Sequence, residues 1–117
     1  MIGPGIPPGL DLLILLAMAH FVCDFSLQGD RMARQKCPGA STAVPWFWWL
    51  LAHAACHGLA VSLLSGSALL GLAETASHAA IDHLKCRSQI SFSLDQGLHL
   101  ACKAAWVAAL AIQGSGA

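Results

Sequence analysis

Apolar residues along this chain fall into four long blocks separated by short polar breaks, and inside the blocks polar residues recur at intervals of four. Blocks of this length predict α-helices that cross a membrane, because about 20 residues at about 1.5 Å per residue match a hydrocarbon core of about 30 Å. The expected helices cover approximately 10–29 (LDLLILLAMAHFVCDFSLQG), 45–65 (PWFWWLLAHAACHGLAVSLLS), 67–85 (SALLGLAETASHAAIDHLK) and 93–113 (SLDQGLHLACKAAWVAALAIQ). Turn chemistry marks the breaks, with CPGAST, SGS and CRSQIS between successive blocks. Pro45 suits a first helical turn, and Ser93 with Gln96 three residues on has the form of a capping box. The predicted fold is an all-α, four-helix transmembrane bundle in which residues 1–117 form a single integral membrane domain.

Composition supports the membrane reading. The chain of 117 residues is 56% apolar and only 10% charged, whereas soluble domains carry about 25% charged residues. Its formal net charge is zero and its basic residues do not alternate with aromatics, so no nucleic-acid partner is expected. Arg31, Arg34 and Lys36 lie in the first break and Lys85 and Arg87 in the third, while the second break and both ends carry no basic residue. By the positive-inside rule the first and third loops are cytoplasmic and both termini lie on the outer side of the membrane. Trp46, Trp48 and Trp49 then form an interfacial belt where the second helix enters. The opening MIGPGIPPGLD lacks a basic stretch, so no cleavable signal peptide is expected. Five cysteines without a C-x-x-C pair, three of them in apolar blocks, predict free thiols rather than a disulfide framework.

Every block carries a four-spaced polar pair: His20 with Asp24, His53 with His57, Glu74 with His78 and then Asp82, and Asp95 with His99. Residues four apart share a helix face and converge on one point, as in the carboxylate–histidine sites of helix bundles. Counted from the cytoplasmic helix ends, His20, His53, His78 and His99 fall roughly 9–14 Å deep and Asp24, Asp82 and Asp95 roughly 3–8 Å deep. Helices running in opposite directions thus bring their polar residues to one level. Ionisable groups in a bilayer cost several kcal/mol unless they face a bundle interior and pair. The candidate metal ligands are therefore His20, Asp24, His53, His57, His78, Asp82, Asp95 and His99, with zinc the first expectation and manganese or iron the alternatives. His53 lies nearer this level than His57, and His83, turned about 100° from Asp82, is expected at the interface. A neutral histidine–aspartate hydrogen-bond network and a proton relay are the competing readings.

Lys103 lies at about the depth of Glu74 by the same count. An ion pair between them competes with Glu74 as ligand or general base. Gln28 and Gln96 sit at the cytoplasmic mouth, placed to orient a ligand or to bind substrate.

The four stretches HFVCDFSLQGDRMARQK, HAACHG, ETASHAAIDHLKCR and FSLDQGLHLACK, in this order, resemble the small bacterial and phage membrane-protein family catalogued as domain of unknown function 3307. The resemblance implies a polytopic inner-membrane protein whose shared polar positions are His20, Asp24, Gln28, His53, His57, Glu74, His78, Asp82, Lys85, Asp95, Gln96 and His99, and it implies no activity. The placing of His and Asp on transmembrane helices is also similar to the membrane-bound metal-dependent hydrolases, although no full motif is shared. The expected function is a metal-dependent hydrolase of a lipid-linked or membrane-embedded substrate, with Glu74 or Asp82 as proton acceptor. The alternatives are a structural or inhibitory membrane protein, such as a phage-encoded envelope modifier, and an ion or proton conduit. Conduction is disfavoured by the apolar outer halves LLILLAM, LAVSLL, ALLGLA and WVAALAI.

Overall fold

A computed structural model describes residues 8–39 and 43–115. The first seven residues, on which the signal-peptide reading and the placing of the N-terminus rest, lie outside the described residues, as does the end of the CPGAST turn. Helix α1, Pro8–Phe21, runs on into a π-helical turn, Val22–Ser26, and is followed by a short α2, Asp30–Gln35. Three long helices complete the chain: α3, Trp46–Ser65, α4, Ala68–Cys86, and α5, Phe92–Ser115. The described residues contain no strand.

The four expected helices are present, with three local differences. The first stops at Ser26 rather than at residue 29, and DRMARQ, expected to be loop, forms α2 with Asp30 in its first turn and Arg34 in its last, each favouring the adjacent helix dipole. The capping box at Ser93 does not form. Instead the Ser91 hydroxyl accepts the Leu94 amide at 3.0 Å, which frees Gln96 to turn inward. The expectation that no cysteine pairs is also overturned, because Cys37 and Cys86 form a disulfide. They are 49 residues apart, and only the return of the segment after α2 to the end of α4 brings their Cα atoms to 5.3 Å. Cys23, Cys56 and Cys102 are free thiols.

The bundle is polar inside and greasy outside. Among the described residues ten polar or charged side chains are buried against six apolar ones, the reverse of a water-soluble core. Phe21, Phe25, Phe47, Trp48, Leu59, Leu63, Leu69, Leu72 and Ile112 all face outward. The helical stretch Pro8–Ser26, with mean hydropathy 1.7, and Trp46–Ser65, with 1.5, are long and apolar enough to cross a membrane. Helices α4 and α5 do not meet the same test. They carry the acidic residues Glu74, Asp82 and Asp95 and the buried Lys103 within their length.

Helices α3 and α4 are joined by a tight turn at Gly66, whose φ of 75° is the left-handed conformation that glycine adopts without steric cost. Ser67 then caps α4 by accepting the Leu70 amide at 3.1 Å. Their contact is closest where Gly58 meets Gly71, since a Cβ on either glycine would lie 2.6 Å from the other's carbonyl oxygen. Small residues at such crossings let helix backbones approach. This crossing sets the His57 ring 3.6 Å from that of His78, centroid to centroid.

Candidate metal centre

Each helix delivers its polar residues to the interior by its own local rule. In α1 the widened π turn, closed by Leu27 N–H donating to the Val22 carbonyl at 2.9 Å, carries Asp24 into the bundle below His20. Turns of this kind recur at functional sites. In α3 His53 and His57 occupy successive turns of the buried face. In α4 that face bears Glu74, His78 and Asp82, and in α5 it bears Asp95, His99 and Lys103.

Asp24 is the hub. Its Oδ1 lies 3.0 Å from Nε2 of both His53 and His57 and 3.6 Å from that of His78. Its Oδ2 accepts from the Gln96 amide at 2.8 Å and lies 3.6 Å from His20 Nε2. Asp82 is a second hub, with Oδ1 at 3.1 Å from His99 Nε2 and Oδ2 at 3.4 and 3.5 Å from Nε2 of His53 and His78. Asp95 Oδ1 lies 3.3 Å from His99 Nε2 but has no hydrogen-bond partner, a buried acceptor left open. The rings of His57, His78 and His99 stack in a column at 3.6 and 4.0 Å. All eight residues named from the sequence as metal ligands are therefore buried and brought together. His53 and His57 both reach Asp24 Oδ1 at 3.0 Å, and His53 also lies 3.4 Å from Asp82 Oδ2.

Glu74 has a different position from Asp82. Its Oε2 accepts from Lys103 Nζ at 2.9 Å and lies 3.2 Å from His78 Nδ1, while its Oε1 accepts from the Trp106 indole at 2.8 Å. The ion pair expected from equal depth is thus formed. Glu74 approaches His78 from behind, on the opposite ring nitrogen from the carboxylate hubs, the arrangement by which a carboxylate orients a ligating imidazole. His83 stays outside the cluster and stacks on Trp46 at 5.5 Å.

Two participants, Lys36 and Trp106, were not evident in the sequence as site residues. Lys36, from the segment just after α2, places Nζ 2.6 Å from Asp82 Oδ2. No periodicity announces it, because it lies outside the long helices. Trp106 lies three residues beyond Lys103 and seven beyond His99, so the face of α5 did contain the signal. Gln96 was expected only at the mouth. It ties α5 to α1 and its π turn, donating to Asp24 and to the adjacent Asp95 while its oxygen meets His20 Nε2 at 2.9 Å.

A cavity of about 570 Å³ opens onto the carboxylate side of the cluster. Asp24, Asp82 and Asp95 form its polar floor, Gln28, Lys36 and Lys85 stand in its walls, and the Cys37–Cys86 disulfide borders it. Glu74 does not line it.

The donor set suits a divalent cation. Asp24, His53, His57 and His78 offer four ligand atoms within 4.8 Å of one another, and Asp24 forms a second such group with Asp95 and His99. Imidazole nitrogens and carboxylate oxygens together are the ligands of zinc, iron and manganese.

Residues 12–115 match the family described as "Protein of unknown function (DUF3307)". No curated protein and no solved structure matches the chain.

Proposed function

The chain belongs to the DUF3307 family, which brings no activity with it, and from the site itself we propose a membrane-embedded, metal-dependent hydrolase acting on a lipid-linked or membrane-bound substrate. The observation that carries this reading is the convergence of five histidine Nε2 atoms on three aspartates at the floor of an open cavity. In this reading all four long helices span the inner membrane, the basic end of the bundle is cytoplasmic, and one or two zinc ions, or manganese or iron, are held by His20, Asp24, His53, His57, His78, Asp82, Asp95 and His99. A divalent cation with an open position lowers the pKa of bound water to about 7 and so supplies a nucleophile at neutral pH. Asp82, in both the cluster and the cavity wall, is the group placed to take the proton. Glu74 holds His78 in orientation and is not the acceptor.

Two observations favour this reading over its competitors. A purely structural ion is fully enclosed by protein ligands, whereas here the three aspartates border a cavity. A conduit needs polar residues through the whole bundle, yet one turn beyond His20 and His57 the buried side chains are Leu16 and Val61, and the charged groups one turn beyond His78 and His99, Glu74 and Lys103, are committed to each other at 2.9 Å.

The test is metal per protomer in tag-free, detergent-purified protein. Wild type is expected to carry stoichiometric metal, and Ala at Asp24, His78 or His99 to lose most of it, while Ala at His83 or Trp48 keeps it. Wild type without metal, and unmoved in thermal stability by added zinc, manganese or iron, would leave a histidine–aspartate hydrogen-bond network and end the hydrolase reading.

A further inference from the structure

The walls of the cavity specify a ligand chemistry more narrowly than hydrolysis does. Its titratable lining consists of Asp24, Asp30, Asp82 and Asp95 against Lys36 and Lys85. Lys36 is committed to Asp82 at 2.6 Å. Lys85 lines the cavity with no ion-pair partner among the described residues. In the ion-free protein four carboxylates outweigh two ammonium groups, and an anion entering would be repelled. Two divalent cations among the aspartates would reverse that balance. A cation that took over the charge of Asp82 would also leave Lys36 without its partner, beside Lys85 in the cavity wall.

At the rim Phe25 and Phe92 are 53% and 57% exposed and meet edge to face at 6.4 Å. Both line the cavity, and Phe21, Leu27 and Leu94 continue the outward apolar surface beside them. The opening is thus polar within and apolar at its lip.

Resting on the metal reading above, we infer that the loaded cavity binds a phosphate group, with Lys36 and Lys85 as its cationic donors and Phe25 and Phe92 against the apolar part of the molecule that carries it. Lysine is a compact point charge suited to phosphate oxygens. Binding of phosphate and metal is then reciprocal, each raising the affinity for the other by the same factor.

Calorimetry on the full chain in detergent, zinc-loaded and chelator-stripped, tests this with inorganic phosphate, dihexanoyl phosphatidic acid, dihexanoylglycerol and hexanoate as probes. The phosphate-bearing probes are expected to bind only the loaded protein, and dihexanoylglycerol and hexanoate at least tenfold more weakly. Tighter binding of phosphatidic acid than of inorganic phosphate assigns the group to a lipid head; equal binding assigns it to a soluble ligand. Lys85→Met, at a half-buried position outside the metal cluster, should weaken phosphate binding by about tenfold, the worth of one charge-assisted hydrogen bond, with metal content unchanged. Binding that survives stripping, hexanoate binding as tightly as phosphate, or Lys85→Met and Lys36→Met both matching wild type would overturn the inference. If wild type takes up zinc but binds no phosphate, the phosphate assignment alone fails; if it takes up no zinc, the underlying metal reading fails first.

Discussion

At the scale of single residues, the Glu74–Lys103 pair makes the sharpest energetic statement. Both side chains are 1% exposed, so removing one partner leaves a charge in a medium that cannot solvate it. Glu74→Leu or Lys103→Met alone should destabilise the bundle by about 3–5 kcal/mol, and the double substitution should recover much of that loss. Unfolding of the four proteins in mixed detergent measures the coupling, and additive losses would show that the two charges do not share one interaction. Glu74→Gln should also weaken metal binding by about 10–100-fold, the usual effect of disturbing the group behind a ligating imidazole. Cys37 and Cys86 make a second residue-scale prediction. The two are joined in the structure, but if the basic end of the bundle is cytoplasmic, thiol buffers open that bond in the cell, and maleimide added to acid-quenched, solubilised cells should label both. A pair protected until reductant is added would place that end in an oxidising compartment and overturn the charge-based orientation.

At the scale of elements, the crossing of α3 and α4 decides whether a site exists. Gly58 and Gly71 hold the two backbones so close that neither tolerates a Cβ without movement, and His57 beside Gly58, with His78 two turns from Gly71, depends on that separation. Gly58→Leu must push the helices apart. It is expected to cost at least about 1–3 kcal/mol in overpacking and, unlike a substitution on the outer face such as Leu59→Ala, to abolish stoichiometric metal. A Gly58→Leu protein that retains full metal content would show that the α3–α4 crossing does not position His53 and His57. The π turn acts similarly within α1, since it is the local widening at Val22–Ser26 that carries Asp24 to both histidines of α3.

At the scale of the whole molecule, the reading of four spans makes a topological prediction. A C-terminal reporter active only in the periplasm should be active, and one requiring the cytoplasm should be dark. The reverse pattern would put the cavity and its lysines on the outer side. Apolar residues cover the outside while polar ones fill the interior, so detergent or lipid is expected to be needed for a monodisperse preparation; a stable preparation without either would contradict the embedding.

The sequence by itself determined the helices and the membership of the cluster, because both follow from periodicity. Apolar blocks of membrane length give the elements, and a spacing of four puts His20 with Asp24, Glu74 with His78 and Asp82, and Asp95 with His99 on single faces wherever the helices go. Equal depth even gave the Glu74–Lys103 pair. Tertiary structure alone decided which hub each imidazole reaches, that Glu74 stands behind His78 rather than in the cavity, and that Lys36 arrives at Asp82. It also decided the Cys37–Cys86 pairing. The physical reason is that these contacts join residues through loops and helix crossings, where distance in sequence carries no information about distance in space, and where a short helix such as DRMARQ is positioned by the helix it packs on.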